Sequence, residues 1–543
     1  MSASPPAVLA AACLAFGCGA ASQGSEPADA AIDAARDVST DAPTDVARDG
    51  STDSGADART DGPVYDTPDA GGCSPESGWA PLSVLTVEDP LAHGAIGDGV
   101  AEDLGALTDT IAALPASGGV VWIAPGKSFR KRDLLTITKP HVKLWSVNRG
   151  GEIYATVGGV VRKQSILCKA PGCGLFGVKL RSDATARFDA LEDNQISIDH
   201  TTDAEIVGVE IDGSAAAGVF LYGSVRTYVE GNFIHHTWSD HIHHTDAARA
   251  SWCWDNWILN EPPSKGDDGI ACVTYGETSP RCGDMEWWHD TILQTGWGRG
   301  YSVIGGEDIA IHDNWAIRVA GAGVIVASES SYKSASSTRI TARGNHLYQC
   351  AQAIGHPGIL VSGGNPSAAP LSDLAFVDNV VAETATGTAY AEEGAFTAVT
   401  NTGMSTKTSD LPTPLPTRAD VRLRDTTVLA TRDVSFVAPA LRNGLHRIHV
   451  RKVTGGYQQR FEYVVRGTPA AMSAFLAEPS PGSDCLAEMR VVDGTAYALV
   501  LTAQPIAVPA SLDGPTFREL RAGDRDGSLG WLWRRLNERS YAP

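Results

Sequence analysis

The segment SKGDDGIACVTYG, residues 264–276, sets Asp267 and Asp268 side by side directly before a short apolar run. Two carboxylates about 4 Å apart repel by about 4 kcal/mol at an effective dielectric near 20, so such a pair needs a proton, a cation or a catalytic task. DHIHHT, starting at Asp240, precedes this run, while RGYSVIG from Arg299 and AGVIVAS from Ala322 follow it. If these runs are successive strands of a parallel coil, equivalent residues stack about 4.8 Å apart. Asp240, Asp268, Arg299 and Ala322 then form one column with Asp267 beside it, so three carboxylates and a guanidinium meet on one face. His243 aligns with Ala271, Ser302 and Ile325 and is a candidate substrate contact, and Glu329, just after the last strand, is a reserve candidate at the same groove. Strand alternation puts His241 and His243 on one face and His244 on the other, so the histidines of HHTWSDHIHHTD do not all converge on one metal.

The elements that must carry this column repeat. Asn before an apolar run recurs in VEGNFI (229–234), CWDNWI (253–258), IHDNWAI (311–317), ARGNHLY (342–348) and FVDNVV (376–381). Their spacing, roughly two to three dozen residues, is the length of a solenoid rung. A second series alternates with them, from GVFLYG at Gly218 to PGILVSG at Pro357. This alternation of two strand types predicts a parallel coil rather than a sandwich. Eight of the 13 tryptophans fall between Trp238 and Trp315. Their faces suit the apolar faces of sugar rings, with Trp297 the candidate for that contact, while others fill the coil.

Upstream, GAIGDG precedes a helix-like segment, Asp103 to Leu114, and then GGVVWIAPGKSF with a strand over Val120 to Ala124. That order resembles the N-terminal cap of the pectate-lyase-like right-handed parallel β-helix superfamily. The resemblance implies an all-β solenoid with a cap helix, over residues 79–405. The site column resembles that of the polygalacturonase family, glycoside hydrolase family 28, whose rungs carry Asn-Thr-Asp, Asp-Asp, Gly-His-Gly and Arg-x-Lys elements. Here WSD (238–240) keeps the aspartate, GDDGIA matches the second element, Arg299 stands in place of the histidine, and GVIVAS lacks both basic residues. The resemblance implies that Asp268 is the general acid and that Asp240 and Asp267 activate water, an inverting hydrolysis with carboxylates roughly 6.5 to 9.5 Å apart and no cofactor. Arg299 would balance charge or bind a substrate oxygen, and the missing basic pair points away from galacturonate. A rival reading makes Asp240, Asp267 and Asp268 a Ca²⁺ site and Arg299 the base of a polysaccharide lyase. A third has the groove bind glycan without cleaving it.

The remainder of the chain sets the context. Residues 1–24 are apolar and small, with VLAAAC resembling a lipoprotein processing site and Cys13 as the lipid-bearing residue, so export and a lipid anchor as the one membrane contact are expected. In residues 25–78 aspartate recurs every fourth position from Asp29 to Asp61, which reads as a solvated tether because like charges four apart destabilise a helix. Between Ser25 and Gly72 twelve acids stand against three arginines, nine of the formal net charge of -21. The folded part is therefore only mildly acidic, and a monomer with a polysaccharide rather than a nucleic-acid partner is expected. Export permits disulfides, and Cys168–Cys173 and Cys272–Cys282 are the candidate pairs. After a Pro-rich connection, residues 406–543 read as an antiparallel β-rich domain or a cap over the last rungs, ending in a short helix.

Overall fold

The structure, a computed structural model, describes residues 79–156, 163–421, 428–431, 446–477 and 485–538. The expectations for the export segment, Cys13 and the tether fall outside these residues. Three long sheets of 12, 11 and 10 parallel strands run the length of a right-handed coil, one strand of each sheet per rung. This is the expected parallel β-helix. The helix spans Leu104–Ala113 and caps the first rungs, burying Leu107 and Ile111, and the strand after it spans Gly119–Trp122. The coil's last long strand is Phe396–Thr402, close to the expected end of the domain.

Register follows the predicted column. Ile242 pairs with Ile270, Ile270 with Tyr301, and Tyr301 with Val324, which places Asp240, Asp268, Arg299 and Ala322 two residues upstream in successive rungs. Ile270, Cys272, Tyr301, Val303, Val324 and Val326 point inward and are wholly buried, so a one-residue slip would put this core outside. Both candidate disulfides, Cys168–Cys173 and Cys272–Cys282, are formed, and Cys253 and Cys350 are buried and free.

The recurring asparagines stack at one bend of the coil. Asn232 Nδ2 donates to Asn256 Oδ1 at 2.9 Å, Asn314 Nδ2 to Asn345 Oδ1 at 3.1 Å, and Asn345 Nδ2 to Asn379 Oδ1 at 2.9 Å. Each amide also donates to a main-chain carbonyl of the preceding rung, as Asn314 does to Trp287. Sequence reading missed one member: Asp290 occupies this place, its Oδ1 accepting from the main-chain and side-chain nitrogens of Asn256. Its Oδ2 is buried with no partner, and burial, opposed by the bonds from Asn256, pushes the carboxyl well above its usual range.

The C-terminal region docks its sheet on the early rungs, while its connecting segment lies on late ones, Leu411 packing on Val380 and Ala382. Its antiparallel strands His446–Val453, Gly456–Gly467, Cys485–Val492 and Thr495–Thr502 form a separate sheet, to which Ala80–Pro81 also pairs. That sheet packs Ile448, Phe461 and Val500 against Trp122, Trp145 and Phe176, which are outward residues of the early rungs. Helix Phe517–Arg525 sets Phe517 against Trp252 and Trp254, and the expected terminal helix spans Gly530–Glu538. Apolar side chains on the outside of the 12-stranded sheet are what direct this docking. Among the described residues no helix is long and apolar enough to cross a membrane.

The aspartate in the asparagine stack gives a test. A carboxyl held protonated in the folded chain but ionised in the unfolded one above pH about 4 makes stability fall as pH rises, by about 1.4 kcal/mol for each unit the pKa is raised. Asp290→Asn removes that loss, and register offers its new amide the carbonyl of Cys253. Urea unfolding is expected to show the variant more stable than the parent at pH 8 and the difference to shrink toward pH 4.

Candidate active site

Three strand starts and two loops build the site. The column places Asp240 and Asp268 one above the other, and the main-chain N–H of Asp268 donates to Asp240 Oδ1 at 2.9 Å. Arg299 continues the column: its N–H donates to Asp268 Oδ1 at 2.7 Å and its Nε lies 3.0 Å from the same oxygen. Asp267 stands beside them on the turn, packed against Gly298. A Cβ at Gly298 would come within 2.4 Å of the Asp267 carbonyl carbon and 2.6 Å of the Asp268 nitrogen, and its φ of +74° suits glycine alone. One oxygen from each of Asp240, Asp267 and Asp268 lies within 4.8 Å of the other two.

Two arginines and a histidine balance these charges. Arg187 arrives from a loop 80 residues upstream and donates to Asp267 Oδ2 at 2.6 Å, with Asp189 holding its Nε at 2.8 Å. Arg299 extends its other end toward Glu329 at 3.5 Å. His243 is buried, stacks on Phe220 with ring centroids 5.0 Å apart, and puts Nδ1 2.5 Å from Asp240 Oδ2. It thus reaches Asp240 instead of the open groove, where a substrate contact was expected. Glu329, the reserve candidate, faces the Arg299 guanidinium and stays partly exposed.

The environments push the three carboxyls apart. Burial pushes Asp268 up to about 8, with Asp267 and Asp240 adding to the rise against the pull of Arg299. Burial also raises Asp267, with the Asp240 charge adding to it and Arg187 opposing. For Asp240 burial is outweighed by the His243 bond and charge, by Arg187 and by the Asp268 N–H, so it lies below the usual carboxylate range. The site thus sets Asp268, held above the usual carboxylate range, beside Asp240, held below it. Asp267 is the most open of the three, its side chain 22% exposed against 5% for Asp268. Trp297, Tyr275 and Tyr332 are about half exposed at the rim, and both tyrosines feel the Asp267 charge.

Sequence reading placed Asp240, Asp267, Asp268, Arg299 and Trp297 but missed Arg187, Tyr275 and Tyr332. Tyr275 had a visible signal, since it lies two residues after strand Ile270–Val273, which Asp268 precedes by two. Arg187 had none, because it lies in a loop outside the strand repeat. His241 and His244 also depart from the metal-like motif: buried, they bond the carbonyls of Asp268 at 3.1 Å and Ala271 at 3.0 Å.

No family model matches the chain, and no curated protein matches it. Solved structures similar to it include the catalytic unit of a thermostable GH87 α-1,3-glucanase from Streptomyces thermodiastaticus, at 18% identity over 63% of this chain and 72% of that one, with a TM-score of 0.43. The endo-xylogalacturonan hydrolase of Aspergillus tubingensis is 12% identical over 61% of this chain and 98% of that one, with a TM-score of 0.41. The Streptococcus pneumoniae surface protein and adhesin PfbA is 13% identical over 59% and 100%, with a TM-score of 0.40. At TM-scores below 0.5 these similarities carry no residue correspondence.

Removing the His243 bond tests the charge balance. His243→Phe keeps an aromatic ring beside Phe220 and strips Asp240 of its partner, at a cost of about 1.5 to 3 kcal/mol near pH 7. A carboxyl held low in the folded state stabilises above its unfolded pKa and loses that contribution as pH falls. Denaturant unfolding is therefore expected to show the deficit at pH 7 and a smaller one at pH 2 to 3.

Proposed function

We propose that this chain hydrolyses glycosidic bonds in a polysaccharide. Asp268 donates its proton to the glycosidic oxygen, and Asp240 and Asp267 together take a proton from the attacking water. The observation that carries this reading is the convergence of Asp240, Asp267 and Asp268, one oxygen of each within 4.8 Å of the others, at the foot of an aromatic-rimmed face, with burial holding Asp268 above the usual carboxylate range and the His243 bond helping to hold Asp240 below it. Such divergence is what assigns acid and base roles to paired carboxyls. Arg299 and Arg187 hold the two active carboxyls in place, and Trp297 and Tyr275 offer flat faces to sugar rings.

The close carboxylate spacing bears on stereochemistry. One oxygen of each carboxyl lies within 4.8 Å of the others, closer than the expected 6.5 to 9.5 Å. Inversion is retained in this reading with the water held on the solvent side of Asp267, the carboxyl that solvent reaches. Proton NMR of the first-formed product is expected to show the inverted anomer, and a retained anomer would make Asp267 a nucleophile instead.

The Ca²⁺-dependent lyase has the clustering of three carboxylates in its favour. Its base is the difficulty: burial tends to release the Arg299 proton, but Asp268 and Glu329 on either side outweigh it and hold that proton more tightly than usual. Export with attachment through Cys13 goes with an enzyme of external polysaccharides.

The test incubates the full chain with a panel of polysaccharides and follows reducing ends and the absorbance of unsaturated uronides. Reducing ends without absorbance are expected, lowered about 10²- to 10⁴-fold by Asp268→Asn, with a rate that falls as pH rises through about 8. Chelator-sensitive absorbance would establish the lyase, and intact glycan throughout would leave a binding protein.

A further inference from the structure

The first two histidines of HHTWSDHIHHTD serve neither the carboxylate cluster nor the core. His235 and His236 are neighbours in strand Phe233–Thr237, where alternation should send them to opposite faces. His236 instead has φ +58°, which turns its ring to the same side as His235, the centroids 4.6 Å apart. Asp212, in the preceding rung of the same sheet, pairs in register with His235. Three donor atoms converge there. His235 Nδ1 and His236 Nδ1 are 2.9 Å apart, His236 Nδ1 and Asp212 Oδ1 are 2.9 Å apart, and His235 Nδ1 and Asp212 Oδ1 are 3.5 Å apart. Ligands on bonds of about 2.0 to 2.1 Å, at angles between square and tetrahedral, stand roughly 2.9 to 3.4 Å from one another.

The surroundings orient the same atoms. Glu210 Oε1 lies 3.3 Å from His235 Nε2, so that nitrogen is the donor and the Nδ1 lone pair is left facing His236. Glu261 Oε2 lies 3.9 Å from His236 Nε2, on the side away from Asp212. Carboxylates behind both imidazoles are the usual outer partners of metal-bound histidines. Lys179 lies 3.4 Å from Asp212 Oδ2 and 3.1 Å from Glu210, leaving Oδ1 to face the histidines, and Arg418 reaches Glu261 at 2.6 Å. Arg149 adds a further cation toward Glu210. His236 and Asp212 are about one-third exposed, so an ion here would keep a face to solvent.

From this convergence we propose that Asp212, His235 and His236 bind one divalent transition-metal ion of the zinc type, with one coordination position left for water. Two imidazole nitrogens and one carboxylate select such an ion over Ca²⁺ or Mg²⁺, which take oxygen ligands. The site is separate from the carboxylate cluster and does not depend on the proposed hydrolysis.

The test strips the full chain with a chelator, dialyses it and titrates it with Co²⁺, following visible absorption, and with Zn²⁺ by calorimetry. One equivalent of each is expected to bind, with Co²⁺ bands of low coordination number. His236→Asn keeps a side chain that tolerates the left-handed backbone and removes one ligand; it should weaken binding by at least about tenfold. Glu261→Gln should weaken it by a smaller factor, and Asp268→Asn should leave the Co²⁺ spectrum unchanged. Equal affinity in His236→Asn, failure of the parent chain to bind stoichiometrically, or loss of the spectrum in Asp268→Asn would each overturn the assignment.

Discussion

Everything in the site depends on the parallel hydrogen-bond ladder that fixes the register of the rungs. His241 N–H donates to the Asp268 carbonyl at 3.0 Å, Gly269 N–H to the Arg299 carbonyl at 2.9 Å, and Gly300 N–H to the Ala322 carbonyl at 2.9 Å. These bonds stack residues 28 and 31 positions apart in sequence at strand spacing, so like charges meet because the backbone makes them meet. The inward apolar side chains lock this register, since a slip of one residue would exchange core and surface. The asparagine stack adds directional bonds inside the same coil and satisfies main-chain groups that the bends would otherwise leave unpaired.

Electrostatics then decides what the stacked carboxyls can do. Burial and mutual repulsion push Asp268 and Asp267 up, against the pull of Arg299 and Arg187. The His243 bond helps hold Asp240 below the usual carboxylate range. Asp268, deepest and pressed by two acidic neighbours, is the one held highest. The proposed acid and base roles therefore rest on burial and partners, not on residue type.

The coil and the column were legible in the sequence because both are periodic: a repeat of two strand types predicts which residues stack, and the observed pairs follow it from Ile242 to Val324. What escaped was aperiodic. Arg187 sits in a loop whose length no repeat fixes. Asp290 replaces an asparagine in WWHDTI, and its place in the stack was hidden by the change of residue. The left-handed turn at His236 breaks the alternation on which facing was judged, so the pairing of His235 and His236 could not be read from strand period. Docking of the C-terminal sheet on early rungs rests on outward tryptophans, and a sequence does not say which apolar patch another will cover.

The proposed hydrolysis requires that Asp268 keep its proton at neutral pH. Carbon-13 labelling of the aspartate carboxyls, with Asp268→Asn assigning the resonance, measures it directly by NMR titration. The account predicts a midpoint for Asp268 near 8, with Asp240 titrating below the usual carboxylate range. An Asp268 already ionised at pH 6 would contradict it and remove the general acid.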